Sequence, residues 1–482
     1  MPKVALLQPN ADERYGHRQG YASTARPPET GLAILGSYLR AFAPQHEVVC
    51  LNPEKSDEEI ARRASGFDLV GLTDWFSNHR RVINIAKLVK ARNNNVRVVI
   101  GGPNTPGVGR LVLEKYQSID YVVIRDGEKA LLGLANGVPV VQIPNLWHRH
   151  DGEIRFTFPS FTKLNNLPLW DFSSFENLDG RLAEYREAVA RSGEKDFDPW
   201  LVPPLTMFSF RGCMKAIKEG VCSYCTSAET TGRALPPDKF WAQLALLKKE
   251  YGAGFFYMAD DIFPITLRRM EQLATAKPAS LATPMIRVYA YMPDFIRFNE
   301  AQMERMASAL RTIGVFNLFF GVESFGLEQI TRANKAAASV AESKRVIEAL
   351  GASGIKTTMA YLLGLPGETK ESLALNLDSL EVLLATGHVE RIYLSVAMAL
   401  RGTPMFEELC RTPAILEAYK QSTGNNLADD DYPDYSLLQR LGVEHLSCLK
   451  PSLVNEWLEK MIVASERYLP SHCVGGFLLE SV

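Results

Sequence analysis

The sequence predicts an α/β protein: two successive parallel-sheet units, then a mainly helical C-terminal region. Three observations carry that expectation. Short β-rich apolar runs alternate with helical patterns over residues 1–145. A second series of six such runs occupies 201–410. A chain of 482 residues also exceeds one ordinary hydrophobic core, so two or three domains are expected.

The first series opens with "KVALLQP" (3–9), an apolar run ending in turn residues. "PETGLAILGSYLRAFA" (28–43) has helical spacing, with Leu32, Leu35 and Leu39 among its apolar positions. "EVVCLN" (47–52), "FDLVGLT" (67–73), "VRVVIGG" (96–102) and "YVVIRDG" (121–127) are further strands, and "RVINIAKLVKAR" (81–92) is a helix. Buried strands with helices between them describe a doubly wound sheet of the flavodoxin or Rossmann type. Such sheets bind ligands beyond the carboxyl ends of their strands. Those ends carry Thr73 and Trp75 in "LTDWFSN", Gly101 and Gly102 in "GGPNT", and Gly127 and Glu128 in "RDGE". Each segment alone reads as an ordinary turn. Three on one rim indicate a ligand site.

Residues 146–200 read as a connection containing one hairpin, because Pro, Asn, Ser and aromatic residues follow no period. The second series has strands at "LTMFSF" (205–210), "FFYMADD" (255–261), "IRVYAYM" (286–292), "FNLFFGVES" (316–324), "KTTMAYLLG" (356–364) and "IYLSVAMA" (392–399). Helical patterns separate them. "SVAESKRVIEALGASG" begins with a capping box, Ser339 and Glu342, and meets an expected stop at Gly351. Six strand–helix units describe a partial (β/α)6 barrel of the TIM type, whose chemistry belongs at the carboxyl ends of the strands. From 411 to 482 the pattern weakens into an acidic, aromatic loop (425–436) and an amphipathic helix (453–469), read as a helical cap.

Composition narrows the function class. Apolar content of 46% and charge of 22% are those of a globular protein, and a net charge of −2 offers no basic excess for nucleic acid or an anionic membrane. No uninterrupted apolar run reaches transmembrane length, and the N-terminus lacks signal-peptide architecture. The seven cysteines are an odd number, and Cys50, Cys410, Cys448 and Cys473 are scattered, which is not a disulfide framework. A reducing, cytoplasmic setting is expected, in which a tight cysteine cluster reads as metal-binding or redox-active.

That cluster is "RGCMKAIKEGVCSYCTSAE" (211–229), with Cys213, Cys222 and Cys225 spaced C-x8-C-x2-C directly after the first barrel strand. A structural zinc site takes four Cys or His ligands, but the loop holds no histidine and the next one downstream is His388. Zinc on three thiolates and a water remains open, though three thiolates make the metal a poor Lewis acid. A cubane iron–sulfur cluster takes four ligands, so three cysteines leave one iron open to a substrate or cofactor. "MADD" (258–261), "GVES" (321–324) and "GLPGE" (364–368) end other barrel strands and add carboxylates and flexible backbone to the same rim.

Together these segments resemble the radical S-adenosylmethionine enzymes that carry an N-terminal cobalamin-binding domain. The resemblance spans roughly 1–410 and rests on "PPETGLAILGSYLR", "GGPNT", "RDGE", "RGC…CSYC", "GVES" and "GLPGET". It implies that Cys213, Cys222 and Cys225 hold a 4Fe-4S cluster, with S-adenosylmethionine chelating the open iron. By similarity Tyr224 lies near the adenine, Asp260 or Asp261 meets the amino group, Glu323 or Ser324 contacts the ribose, and Gly364 lines the cofactor. One electron from an external flavodoxin- or ferredoxin-type donor then yields a 5′-deoxyadenosyl radical.

Two departures stand out. Family members usually space the motif C-x3-C-x2-C, so five residues are extra in the first gap, "MKAIKEGV", with its two lysines and a glutamate. A histidine-ligated corrinoid domain shows D-x-H-x-x-G, whereas "YGHRQG" has Tyr15 in place of the aspartate that would orient His17. His17 therefore reads as a loop residue, and Trp75 is the candidate to pack under the corrin. The expected reaction is C-methylation of an unactivated carbon through methylcobalamin, on a small-molecule or peptide substrate. The alternatives are radical chemistry of another type with cobalamin used differently or absent, a non-catalytic corrinoid or metal-binding protein, and a zinc-binding structural module.

Overall fold

The computed structural model describes residues 2–12, 27–53, 56–191, 204–226, 229–447, 449–476 and 479. His17, with its "YGHRQG" segment, and Cys448 lie outside the described residues. The chain divides into two compact units, Met1–Val189 and Ala190–Val482.

The first unit is one sheet of seven strands: β1 (Lys3–Leu7), β2 (Glu47–Cys50), β3 (Leu69–Thr73), β4 (Arg97–Gly101), β5 (Tyr121–Val123), β6 (Leu146–His150) and β7 (Glu153–Phe156). Their order is β2-β1-β3-β4-β5-β6-β7, and the first five are parallel. This is the doubly wound order, with its topological switch between β1 and β3. Val70, Val98 and Ile100 in the strands and Val82, Ile85 and Val89 in helix His79–Arg92 pack in one core. The expected hairpin is β6–β7, which extends the sheet antiparallel to β5. Its turn is Asp151–Gly152, both at positive φ, the pairing that matches strand twist in a two-residue hairpin.

In the second unit β8 (Pro204–Met207), β11 (Phe255–Met258), β12 (Met285–Ala290), β13 (Val315–Glu323), β14 (Lys356–Leu363) and β15 (Val389–Val396) follow one another in parallel register. These are the six barrel strands expected. Val288, Leu318, Phe320, Met359, Ile392 and Leu394 are buried along the strands. β9 (Phe210–Arg211) and β10 (Arg233–Ala234) form a separate antiparallel ribbon. A seventh parallel strand, β16 (Val474–Gly476), joins β15 at the sheet edge. It was not expected: three residues with two glycines carry no strand signal.

Two local expectations meet different outcomes. The capping box is present: Ser339 accepts the Glu342 N–H at 3.2 Å, and Glu342 accepts the Ser339 N–H at 2.9 Å. Gly351, however, does not end the helix, which runs Val340–Ala352 and turns out at Gly354 with φ +77°. Gly351 is required for packing instead, because a Cβ there would lie 2.1 Å from the His388 ring. The C-terminal region is helical as expected, with Pro413–Thr423, Tyr435–Leu446 and Pro451–Glu466 as its longer helices. Among the described residues no helix is long and apolar enough to cross a membrane.

Candidate functional site

The cysteine segment leaves the barrel after β8 and is closed at its base by the β9–β10 ribbon, where Arg211 pairs with Arg233. Gly212 makes the exit: its φ is +102°, and a Cβ would meet the Thr231 carbonyl oxygen at 2.5 Å. Cys213 precedes a one-turn helix, Met214–Glu219, which ends at Gly220 with φ +84°. The extra residues of the first gap are therefore folded, and all three of their charged side chains are engaged. Lys215 is buried, Lys218 pairs with Asp294 at 3.2 Å, and Glu219 accepts the Tyr291 hydroxyl at 2.7 Å. A tight turn follows, with the Cys225 N–H on the Cys222 carbonyl at 3.1 Å.

Tyr224, between the last two cysteines, reaches the end of β13. Burial pushes its hydroxyl well above the usual range, and the charges of Glu323 and Cys222 push it further. Tyr224 hydrogen-bonds Glu323. Glu323 sits at φ +62°, and its Oε1 lies 2.8 Å from Lys335 Nζ. Lys335 also donates to the Gly321 carbonyl at 2.8 Å. Gly321 leaves the room for this pair, since a Cβ there would stand 2.4 Å from Glu323 Oε1. Lys335 was missed from sequence because nothing local in "TRANKA" marks it.

The two aspartates after β11 divide their work. Asp260 is buried and accepts the Ser209 N–H at 3.0 Å and the Ser209 hydroxyl at 3.0 Å. Desolvation raises its pKa to about 7, against the pull of those bonds. Asp260 thus ties the exit of β11 to the exit of β8. Asp261 is exposed, and its charge acts on Cys213 and on Asp260. Ser324 is buried, accepting the Gly326 N–H at 3.0 Å and the Asn376 amide at 3.1 Å, so it shapes the turn after β13. Gly364, at φ +72°, packs against Val443 and Val396 and gives its N–H to the buried carboxyl of Glu368. Burial raises Glu368 to about 8.

The first unit's rim gathers at the switch between β1 and β3. Thr73 and Gly101 are register partners at the ends of β3 and β4. Gly102, at φ +125°, lies so close to Asp74 that a Cβ would meet its carbonyl oxygen at 2.6 Å. Trp75 is 40% exposed, and its indole N–H reaches Gln8 Oε1 at 3.3 Å, across the switch. Beneath it is a polar cluster absent from the sequence reading. Asp74 lies 2.8 Å from His79 Nδ1 and accepts the Asn104 amide at 3.1 Å, all buried. Gly127 caps helix Glu128–Ala135, and Glu128 is buried with the Thr162 hydroxyl on it at 3.2 Å.

Three cysteines with no histidine in their loop are the donor set of a cubane that keeps one iron open. Cys213, Cys222 and Cys225 are in no disulfide, and each is partly accessible. Burial raises the Cys213 thiol, while the N–H groups of Ala216 and Lys215 pull it down. One zinc ion needs its sulfurs about 2.3 Å from a common point. A cubane instead spreads its cysteines over separate irons.

Comparison with known proteins agrees with this fold. The B12 binding domain family matches residues 23–135, and the radical SAM superfamily matches 207–380. An uncharacterised methyltransferase of Pyrococcus horikoshii is 24% identical over 84% of this chain and 82% of its own length. The anaerobic magnesium-protoporphyrin IX monomethyl ester cyclase of Rubrivivax gelatinosus is 22% identical over 77% of this chain, which spans 64% of that enzyme. The radical S-adenosylmethionine methyltransferase TsrM from Kitasatospora setae, solved with cobalamin and a 4Fe-4S cluster, shares the fold. It superposes with a TM-score of 0.67 at 17% identity, covering 100% of this chain and 91% of TsrM. The chain thus carries a B12-binding domain followed by a radical S-adenosylmethionine domain, the pairing found in the cobalamin-dependent radical enzymes it resembles.

Proposed function

We propose that this chain is a cobalamin-dependent radical S-adenosylmethionine enzyme that C-methylates an unactivated carbon. The observation that carries the reading is the cysteine segment at the carboxyl ends of the barrel strands. There Tyr224 bonds Glu323, and Asp261 stands within electrostatic reach of Cys213. Cys213, Cys222 and Cys225 would hold the cluster. Bound there, the cluster would supply the electron for reductive cleavage of S-adenosylmethionine, and cobalamin held by the first unit would supply methyl-transfer chemistry.

The remaining work falls to the protein's own groups. Asp261, exposed where Asp260 is not, is the carboxylate for the amino group of S-adenosylmethionine. Glu323, fixed by Lys335, is the ribose contact, and Tyr224 lies against the adenine. Ser324 and Gly364 shape the adjoining turns rather than offering side chains. Thr73, Trp75, Gly101, Gly102 and Gly127 form the corrin rim, with Glu128 supporting it from within. The electron comes from an external flavodoxin- or ferredoxin-type donor, which places the enzyme in a reducing compartment such as the cytoplasm.

A second reading has a specific observation behind it: a relative of similar identity is a cyclase. Two measurements separate the readings. Cobalamin titration with absorbance readout tests whether the corrinoid binds. Incubation of candidate substrates with deuterated methyl donor, read by mass spectrometry, tests the transfer. Methylation predicts a trideuteromethyl product and 5′-deoxyadenosine. Deoxyadenosine with no labelled product in the presence of a converted substrate overturns methylation in favour of the second reading.

A further inference from the structure

The extra residues of the first cysteine gap contain a buried lysine, a residue type rarely found fully buried. Lys215 is 1% exposed. Its ammonium donates to the Gly220 carbonyl at 2.8 Å, which closes the short helix onto its own end, and to the Asn334 carbonyl. Asn334 answers in kind. It occupies the left-handed region at φ +52°, and its amide donates to the Glu219 carbonyl at 3.2 Å and the Val221 carbonyl at 2.8 Å. The Ser223 N–H adds a bond to the Ala333 carbonyl at 3.1 Å. The Tyr291 hydroxyl donates to Glu219 and accepts the Ala336 N–H at 3.1 Å. Residues 219–223 of the cysteine loop and 333–336 after β13 are thus cross-laced.

The lacing ends one residue from the cofactor edge. Lys335, the neighbour of Asn334, holds Glu323, and Glu323 takes Tyr224. Burying a charge costs free energy that a leucine or methionine at this position would avoid. Lys215 buys no ion pair with Asn334 or Gly220, only a fixed relation between two segments. That relation determines where the Glu323 carboxylate stands relative to the cysteines.

We propose that Lys215 is a positioning residue for S-adenosylmethionine: it fixes the 333–336 turn against the cysteine loop and so holds Lys335 and Glu323 at the cofactor edge. The inference rests on the proposed function above. It gives the long first gap a role in cofactor affinity rather than in substrate contact.

The test is equilibrium dialysis of labelled S-adenosylmethionine against the oxidised, cluster-loaded enzyme, with iron and sulfide determined on each sample. Lys215→Met keeps the bulk and removes the donors. Asn334→Gly keeps the left-handed turn and removes the amide, so it tests the same lacing without touching the lysine. Lys218→Ala, on the same short helix, serves as control. The expected result is at least fivefold weaker binding in Lys215→Met and Asn334→Gly at unchanged iron content, with Lys218→Ala within twofold of the parent. Unchanged affinity in the two loaded variants overturns the proposal. So does loss of iron in both, which would make the insert a builder of the cluster loop only. Failure of the parent protein to load iron or bind S-adenosylmethionine would sink the underlying function and is read directly from the same samples.

Discussion

Lys335 Nζ lies 2.8 Å from Glu323 Oε1, and both side chains are only 10% exposed. The pair joins the turn after β13 to the strand's own end, and through the Glu323–Tyr224 bond it meets the cysteine loop. Removing one partner of such a pair leaves the other charge buried and uncompensated, at a cost of about 3–5 kcal/mol. Lys335→Met is therefore expected to lose that order of stability in denaturant unfolding at neutral pH. The double variant Lys335→Met/Glu323→Gln should recover much of it. A double variant no more stable than the single one would show that the pair's electrostatics are not the cause.

The three cysteines give the sharpest test of the cluster. Cys213→Ala, Cys222→Ala and Cys225→Ala should each lower iron content after anaerobic reconstitution and abolish 5′-deoxyadenosine formation on reduction. Ser223, between two of them, has both main-chain groups bonded, its N–H to Ala333 and its carbonyl to the Met405 N–H at 2.8 Å. The loop is thus held by bonds outside the cysteines, and the variants are expected to keep their fold by circular dichroism. Full cleavage activity in any one of them contradicts the ligand assignment.

Glu368 gives a pH signature. Its folded value is raised from 4.5 to about 8 by burial, while the Gly364 N–H works against the shift. The protonated carboxyl is thus favoured in the folded state. Its stabilising contribution is full below pH 4.5 and drains away as pH rises to about 8, because the unfolded chain gives up its proton first. Glu368→Gln keeps an acceptor for Gly364 and cannot ionise. The difference in unfolding free energy between this variant and the parent should grow steadily in the variant's favour from pH 5 to pH 8. A constant difference over that window would place the titration elsewhere.

What was legible in the sequence follows from where the signals are local. Strand–helix alternation made both sheets readable, and the cysteine cluster could be read from its own spacing. The strand β16 was not, because its pairing with Ile392 and Leu394 depends on a sheet edge more than 75 residues away along the chain. Gly351 was misjudged as a helix stop because the reason for a glycine there is His388, which arrives from another element. The choice between Asp260 and Asp261 could not be made from adjacency. The two differ only in the folded chain, where Asp260 is buried and bonded by Ser209 while Asp261 is exposed. Lys215 and Lys335 had no sequence signal at all, since their partners are main-chain carbonyls and a carboxylate set by tertiary packing.

At the rim of the first unit, Trp75 is a proposed ligand contact, whereas Gly102 meets a backbone requirement. Trp75 is exposed, and its side-chain bond is the 3.3 Å contact to Gln8. Trp75→Ala should leave unfolding within about 0.5 kcal/mol of the parent, as surface substitutions usually do. It should nevertheless weaken cobalamin retention, since a large flat side chain at a switch-point crevice offers its face to a flat ligand. Gly102→Ala is the opposite case. A methyl at φ +125° would press on the Asp74 carbonyl, so stability and cobalamin binding should fall together. Absorbance titration with hydroxocobalamin beside a denaturant melt reads both quantities. Parental affinity in Trp75→Ala would remove the indole from the corrin site and leave the rim's glycines as its only approach from β3 and β4.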